Sequence, residues 1–140
     1  MVDENGDLRA VYRKCHLWGD YERAIFTRGD SLHRGIFELH GIVFGVLICF
    51  DVEFPEAVRA LRRGGVEVLL VPTALVEPFN ATVTVPSRAF ENNFIVCYAN
   101  EVGPVETSDA MLPIVDVESL AFQAALSRNN YFESLRPELY

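Results

Sequence analysis

Residues 45–56 read Gly-Val-Leu-Ile-Cys-Phe-Asp-Val-Glu-Phe-Pro-Glu, and this stretch decides the fold. Its first half belongs to an apolar run over residues 42–50 that is interrupted by Gly45. Val43, Phe44, Val46, Leu47 and Ile48 are apolar on both faces, as in a central buried strand. Its second half ends in Pro55-Glu56, which opens a helix. Proline suits the first helical position, where its missing N–H is no loss, and an acid suits the positive end of the dipole. Ala57, Val58 and Leu61 then share one face while Arg59, Arg62 and Arg63 point elsewhere, and Gly64-Gly65 ends the helix. Cys49 stands where strand gives way to helix.

Working outward, residues 66–71 form a second buried strand closed by Pro72. A loop leads to a helix over residues 85–93, and the strand 94–100 follows it. Residues 112–117 read as a further strand and residues 119–128 as a terminal helix. Upstream, residues 36–39 pair with the central strand through a turn at His40-Gly41. Residues 15–34 carry Gly19 and Gly29 without periodicity and read as an ordered loop. Asn5-Gly6 is a tight-turn signal with a strand over residues 8–14 after it. Only residues 1–4 precede that turn, as if the chain began in the middle of a hairpin. Strand, helix, strand, helix, strand is the rhythm of an α/β layer.

With 140 residues, half of them hydrophobic, the chain suits a single domain with a packed core. A net charge of -8 repels phosphate and argues against nucleic acid as a partner. The longest apolar run is too short to cross a bilayer, and residues 1–9 are too polar and acidic for a secretory signal. Cys15, Cys49 and Cys97 are odd in number and far apart, which predicts reduced thiols and a cytoplasmic protein. The histidines have no metal-ligand spacing and read as surface or supporting groups.

Cys49 has two readings. A strand-to-helix turn exposes a nucleophile and aims free backbone N–H groups at a developing oxyanion. A buried structural thiol fits the same position, since free cysteine is among the most buried residue types. Lys14, at a strand end heading an irregular loop, favours the first reading, because an ammonium stabilises a thiolate and an oxyanion. Glu22, eight residues on, can orient that ammonium.

Taken together, Tyr-Arg-Lys-Cys-His-Leu-Trp at 12–18, Glu22 and the stretch at 45–56 resemble the nitrilase superfamily of carbon–nitrogen hydrolases. Val-Pro-Thr-Ala at 71–74, Ser-Arg-Ala-Phe-Glu-Asn-Asn at 87–93, Tyr-Ala-Asn at 98–100 and Arg-Pro-Glu-Leu-Tyr at 136–140 continue the match in order. The resemblance implies an α/β fold of the αββα sandwich type, assembly into oligomers, and no metal or organic cofactor. It implies Cys49 as nucleophile, Lys14 as the cation on the oxyanion side, Glu22 as the supporting glutamate and the Phe50 N–H as an oxyanion donor.

Two departures from the family pattern stand out. The general-base glutamate of the family belongs upstream of Lys14, where Asp3 and Glu4 lie in a turn and fit no such motif. A strand pair expected between Asn100 and Leu112 is replaced by about a dozen loop-like residues. The expectation is one domain over residues 1–140, a partial αββα sandwich without its N-terminal part and without the strand pair near 101–111. Half a sandwich leaves apolar sheet uncovered, which favours association or poor solubility.

The setting of Glu53 looks most like the branch that hydrolyses short aliphatic or ω-amino amides, where a carboxylate would pair with a substrate ammonium; a salt bridge to Arg59 is the structural alternative. Nitriles and N-carbamoyl amines remain open as substrates. Thr73 and Ala74 are expected to line the pocket, and Arg88 with Glu91 to form a supporting pair. Phe79, Phe90 and Phe94 read as core, Cys97 as buried filler, and Cys15 has no catalytic role. The functional expectation is an amidase taking a small-molecule amide as substrate and acting as a homo-oligomer. Its alternative is an inactive remnant serving as an assembly module. A thiol redox protein would need a second cysteine near Cys49.

Overall fold

The computed structural model describes residues 1–74, 79–100, 136 and 138. Four strands form one sheet in chain order: β1 (Phe37–Leu39), β2 (Ile42–Val46), β3 (Val68–Pro72) and β4 (Ile95–Ala99). The β1–β2 pair is an antiparallel hairpin, with Leu39 opposite Ile42. Its two turn residues, His40 and Gly41, have φ of 51° and 77°, the left-handed pair that matches the twist of the flanking strands. The β2–β3 and β3–β4 pairs are parallel. The chain crosses between them through helices α2 (Pro55–Arg63) and α3 (Val85–Asn92). The predicted α/β class is the observed one.

Strand alternation gives the sheet two apolar faces. On one, Leu47, Leu69 and Val71 join Ala57, Val58 and Leu61 of α2 in the core. Gly45 belongs to this face because a Cβ there would lie 3.0 Å from Val66 and 3.3 Å from Leu61. On the other, Phe37, Phe44, Val68 and Ile95 stand in one row across all four strands. The rings of Phe37 and Phe44 stack there at 5.4 Å. Phe37 and Val68 are buried in this row, and Phe44 and Ile95 half-buried.

Several elements differ from expectation, each for a physical reason. Residues 8–14 are not a strand: beyond the Val2–Leu8 bridge and the bond from the Met1 amino group to the Ala10 carbonyl at 2.8 Å, the segment has no ladder. Strand propensity does not act without a neighbour to pack on. The central strand stops at Val46 rather than Phe50. Leu47 still donates to the Leu70 carbonyl at 3.1 Å, but the Ile48 N–H turns to the Asp51 carboxylate and the pairing ends. Residues 15–34 contain a short helix, α1 (Gly19–Ile25), and a 3-10 turn, Leu32–Gly35. No residue of α1 is buried, so no apolar stripe betrays it in the sequence.

Phe94 is core, whereas Phe79 and Phe90 are 62% and 67% exposed. The inward face of α3 carries Val85, Arg88 and Asn92 instead, spaced for one side of a helix, and Asn92 is fully buried. Cys97 is exposed rather than buried, because its neighbours Val96 and Tyr98 take the core-facing positions. The expected strand 112–117, the helix 119–128 and the gap near 101–111 lie outside the described residues. Among the described residues no helix is long and apolar enough to cross a membrane.

Candidate active site

Cys49 begins a 3-10 turn, Cys49–Glu53, that links β2 to α2. Its φ is 51°, a left-handed conformation that costs a residue with a Cβ on the order of 1–2 kcal/mol. Such strain persists only where the surroundings impose it, and it gathers at functional sites. The imposing group is Asp51: its N–H donates to the Ile48 carbonyl at 3.1 Å and its Oδ2 accepts the Ile48 N–H at 3.1 Å. Phe50, second in the turn, has no carbonyl of the turn behind it to take its N–H. Rings brace the exit, with Phe50 edge-on to Phe54 at 5.0 Å and Phe54 stacked on His16 at 4.1 Å.

Lys14 lies on the extended segment before α1, and its ammonium donates to both Glu22 oxygens at 2.8 and 2.7 Å. The lysine side chain is 12% exposed and the glutamate 22%. Glu22 also accepts the Trp18 N–H at 2.6 Å, which ties the start of α1 to the lysine. Gly29 donates to the Lys14 carbonyl at 2.8 Å and must be glycine, because a Cβ there would collide with the Arg13 carbonyl oxygen. Burial works against ionisation of Glu22. The Lys14 hydrogen bond, the Trp18 N–H and the lysine charge together outweigh it and hold the carboxyl below its ordinary value of 4.5.

A depressed folded-state value stabilises the protein above the unfolded value and loses that stability as pH falls through the folded one. The clamp is therefore expected to lose its contribution only as pH falls below 4.5. A carbon-detected NMR titration of the Glu22 carboxyl checks this, and a midpoint above 4.5 would contradict it.

The far side of the site is built from β3, β4 and α3. Thr73, just past β3, donates its backbone N–H to the Ala99 carbonyl at 2.8 Å. The hydroxyls of Thr73 and Tyr98 are buried without a hydrogen-bond partner of good geometry. Tyr98 is pushed above its ordinary value by burial first; the Thr73 hydroxyl opposes that, and the charges of Cys49 and Glu53 add to it. Glu53 accepts from Asn80 Nδ2 at 3.1 Å. Arg88 pairs with Glu91 at 3.0 Å and also donates to the Val52 and Glu53 carbonyls at 3.1 and 2.9 Å. Ala74 is exposed at the end of the described segment.

Sequence reasoning missed Asp51, Tyr12 and His16. Tyr12 OH donates to Asp51 Oδ2 at 2.8 Å, and His16 offers both its N–H and Nδ1 to Oδ1 at 2.8 Å each. Asn80 and Tyr98 were missed as well. The only local signal was the adjacency of Tyr12 and His16 to the lysine and of Asp51 to the cysteine.

Against known proteins, the family model for carbon–nitrogen hydrolases matches residues 1–126. The chain belongs to the carbon–nitrogen hydrolase family. The hydrolase in the 5′ region of pqqF from Pseudomonas protegens is 34% identical to it over 163 residues, covering 100% of this chain and 57% of that protein. An (R)-stereoselective amidase from a Pseudomonas species is 37% identical over 94 residues, or 66% of this chain and 33% of that one. The crystal structure of an amidase from Nesterenkonia aligns with TM-score 0.70 and 40% identity, covering 74% of this chain and 40% of the amidase chain. A cysteine-to-alanine mutant of that amidase has been solved with butyramide, and acrylamide adds to its active-site cysteine. This carbon–nitrogen hydrolase chain spans a third to a little over half of the length of these relatives.

Proposed function

We propose that this carbon–nitrogen hydrolase is an amidase for small aliphatic or ω-amino amides, with Cys49 as nucleophile. The observation that carries the reading is a left-handed Cys49 at the β2–α2 elbow, beside a loop whose Lys14 is held by both oxygens of Glu22. The Cys49 thiolate attacks the amide carbon, and the oxyanion is met by the Lys14 ammonium and the Phe50 N–H. The C–N bond breaks as the nitrogen takes a proton, ammonia leaves, and water hydrolyses the thioester to the acid. No cofactor is required. Asp3 closes the first turn by accepting the Asn5 and Asp7 N–H groups, and Glu4 faces His40 at 3.9 Å. The general base is assigned to a group outside the described residues or to a second chain.

Thr73 and Ala74 are assigned to the pocket wall, and Glu53 to the ammonium of an ω-amino amide. Its place at the far end of the same 3-10 turn that Cys49 begins supports that role. Glu53→Gln is then expected to raise KM for ω-amino amides roughly tenfold, the worth of one charge-assisted hydrogen bond. KM for butyramide should stay unchanged, and an equal change for both substrates would remove Glu53 from recognition. The homo-oligomer implied by the family resemblance is part of the same proposal. Light scattering coupled to size exclusion is expected to give a mass of at least twice 15.8 kDa. A sharp monomer peak with cooperative melting would overturn that.

The activity itself is tested by incubating the purified protein with short aliphatic and ω-amino amides, reading released ammonia and intact mass. Ammonia with a transient acyl adduct on Cys49 is the expected result. Soluble, folded protein with neither would overturn the proposal.

A further inference from the structure

The Asp51 carboxylate is 0% exposed and receives four donors. Its Oδ1 takes the His16 N–H and Nδ1–H, and its Oδ2 takes the Tyr12 hydroxyl and the Ile48 N–H. A carboxylate offers about four lone-pair sites, so this one is fully satisfied without water. Three of the donors come from two residues 35 and 39 positions upstream, His16 and Tyr12, which flank Lys14 on either side. The fourth belongs to the residue before Cys49. The phenol of Tyr12 stays a donor: burial first, then a hydrogen bond with Cys15 and the Asp51 charge, push it far above its ordinary value.

We propose that Asp51 is the positioning residue of this site, fixing Cys49 in its left-handed turn and, through Tyr12 and His16, holding Lys14 at the same elbow. This rests on the reading that Lys14 serves Cys49. It goes beyond that reading by naming what makes two segments of distant sequence into one site.

Charge and position predict opposite signs. A negative charge two residues from a thiol disfavours the thiolate, so neutralising Asp51 by itself would lower the apparent pKa of Cys49. If Asp51 places the lysine, its loss withdraws the cation and the pKa rises. Asp51→Asn conserves volume, but its NH2 must face either the His16 N–H or the Ile48 N–H. Neither backbone donor can reverse its role, so one tie is broken in either orientation.

The experiment is the pH profile of iodoacetamide alkylation on the full chain, with Cys49 resolved from Cys15 and Cys97 by peptide mass. Lys14→Met is expected to raise the apparent pKa of Cys49 by about one unit, a roughly tenfold slower reaction at neutral pH. Asp51→Asn should raise it similarly, and the double variant should lie at or slightly below Lys14→Met alone, since groups acting through one another are not additive and only the loss of the Asp51 charge is left to act. A lowered or unmoved pKa in Asp51→Asn, or a shift that persists undiminished in the Lys14→Met background, overturns the proposal. If Lys14→Met itself leaves Cys49 unmoved, the reading of Lys14 fails first and the positioning role falls with it. Should Asp51→Asn lose its near-ultraviolet circular dichroism, Tyr12→Phe takes its place in the same cycle, with a smaller shift of the same sign required.

Discussion

Replacing Cys49 by alanine is expected to remove the proposed amide hydrolysis, by on the order of 10⁴-fold or more, while the melting temperature moves little. The size follows from covalent chemistry: without the sulfur there is no acyl-enzyme, and only binding and oxyanion contacts remain. The small stability change follows from the position, since Cys49 is only partly buried and alanine inherits the same strained φ of 51°. A glycine at this position carries no Cβ penalty. Cys49→Gly should therefore be more stable than Cys49→Ala by about 1 kcal/mol and equally inactive. Urea unfolding of the two variants beside an ammonia assay checks both halves. Residual hydrolysis in Cys49→Ala would show that another group attacks, and equal stabilities would show that the elbow is not strained.

The second large effect is on stability, at Arg88. Its guanidinium joins α3 to the elbow by donating to the Val52 and Glu53 carbonyls and to Glu91, with the side chain 14% exposed. Arg88→Met keeps the apolar stem but leaves two carbonyls behind Cys49 without their donor. At about 1–3 kcal/mol for each unsatisfied group, the expected loss is about 3–5 kcal/mol, a large share of a small domain's stability. Arg88→Lys should recover little, because one ammonium cannot span the three acceptors that a planar fork reaches. A loss below about 1 kcal/mol in the urea midpoint of Arg88→Met would show that the elbow is held by its own turn.

These effects concern contacts of very different legibility. α2 was plain because its signals are local: Pro55 at the first position, three apolar residues on one face, and Gly64 as the cap. The β1–β2 hairpin was equally plain in His40-Gly41. The Arg88–Glu91 pair could be read because three residues on a helix bring side chains together. The inward face of α3 could not. Phe90 is the more apolar residue, yet Arg88 and Asn92 are turned in because polar groups of the elbow and of α3 itself need them.

The 12–18 and 45–56 motifs placed the chain in its family and marked Cys49, Lys14 and Glu22 from sequence alone. Glu22 reaches Lys14 across a short span, so spacing was a fair guide to that contact. The 3-10 turn at Cys49 was hidden inside an apolar run that reads as uninterrupted strand. What ends the strand is a side-chain carboxylate three residues on competing for the Ile48 N–H.

The sequence by itself determined the α/β rhythm, the buried faces of β3 and α2, and the motifs that place the chain in its family. Each of these follows from periodicity or from groups a few residues apart. Tertiary structure alone decided that Tyr12 and His16 meet Asp51 across 39 and 35 residues. The physical reason is that a buried carboxylate must be satisfied by whatever donors the packed chain delivers. Only the finished packing of the Lys14 segment against the elbow makes those donors Tyr12 and His16.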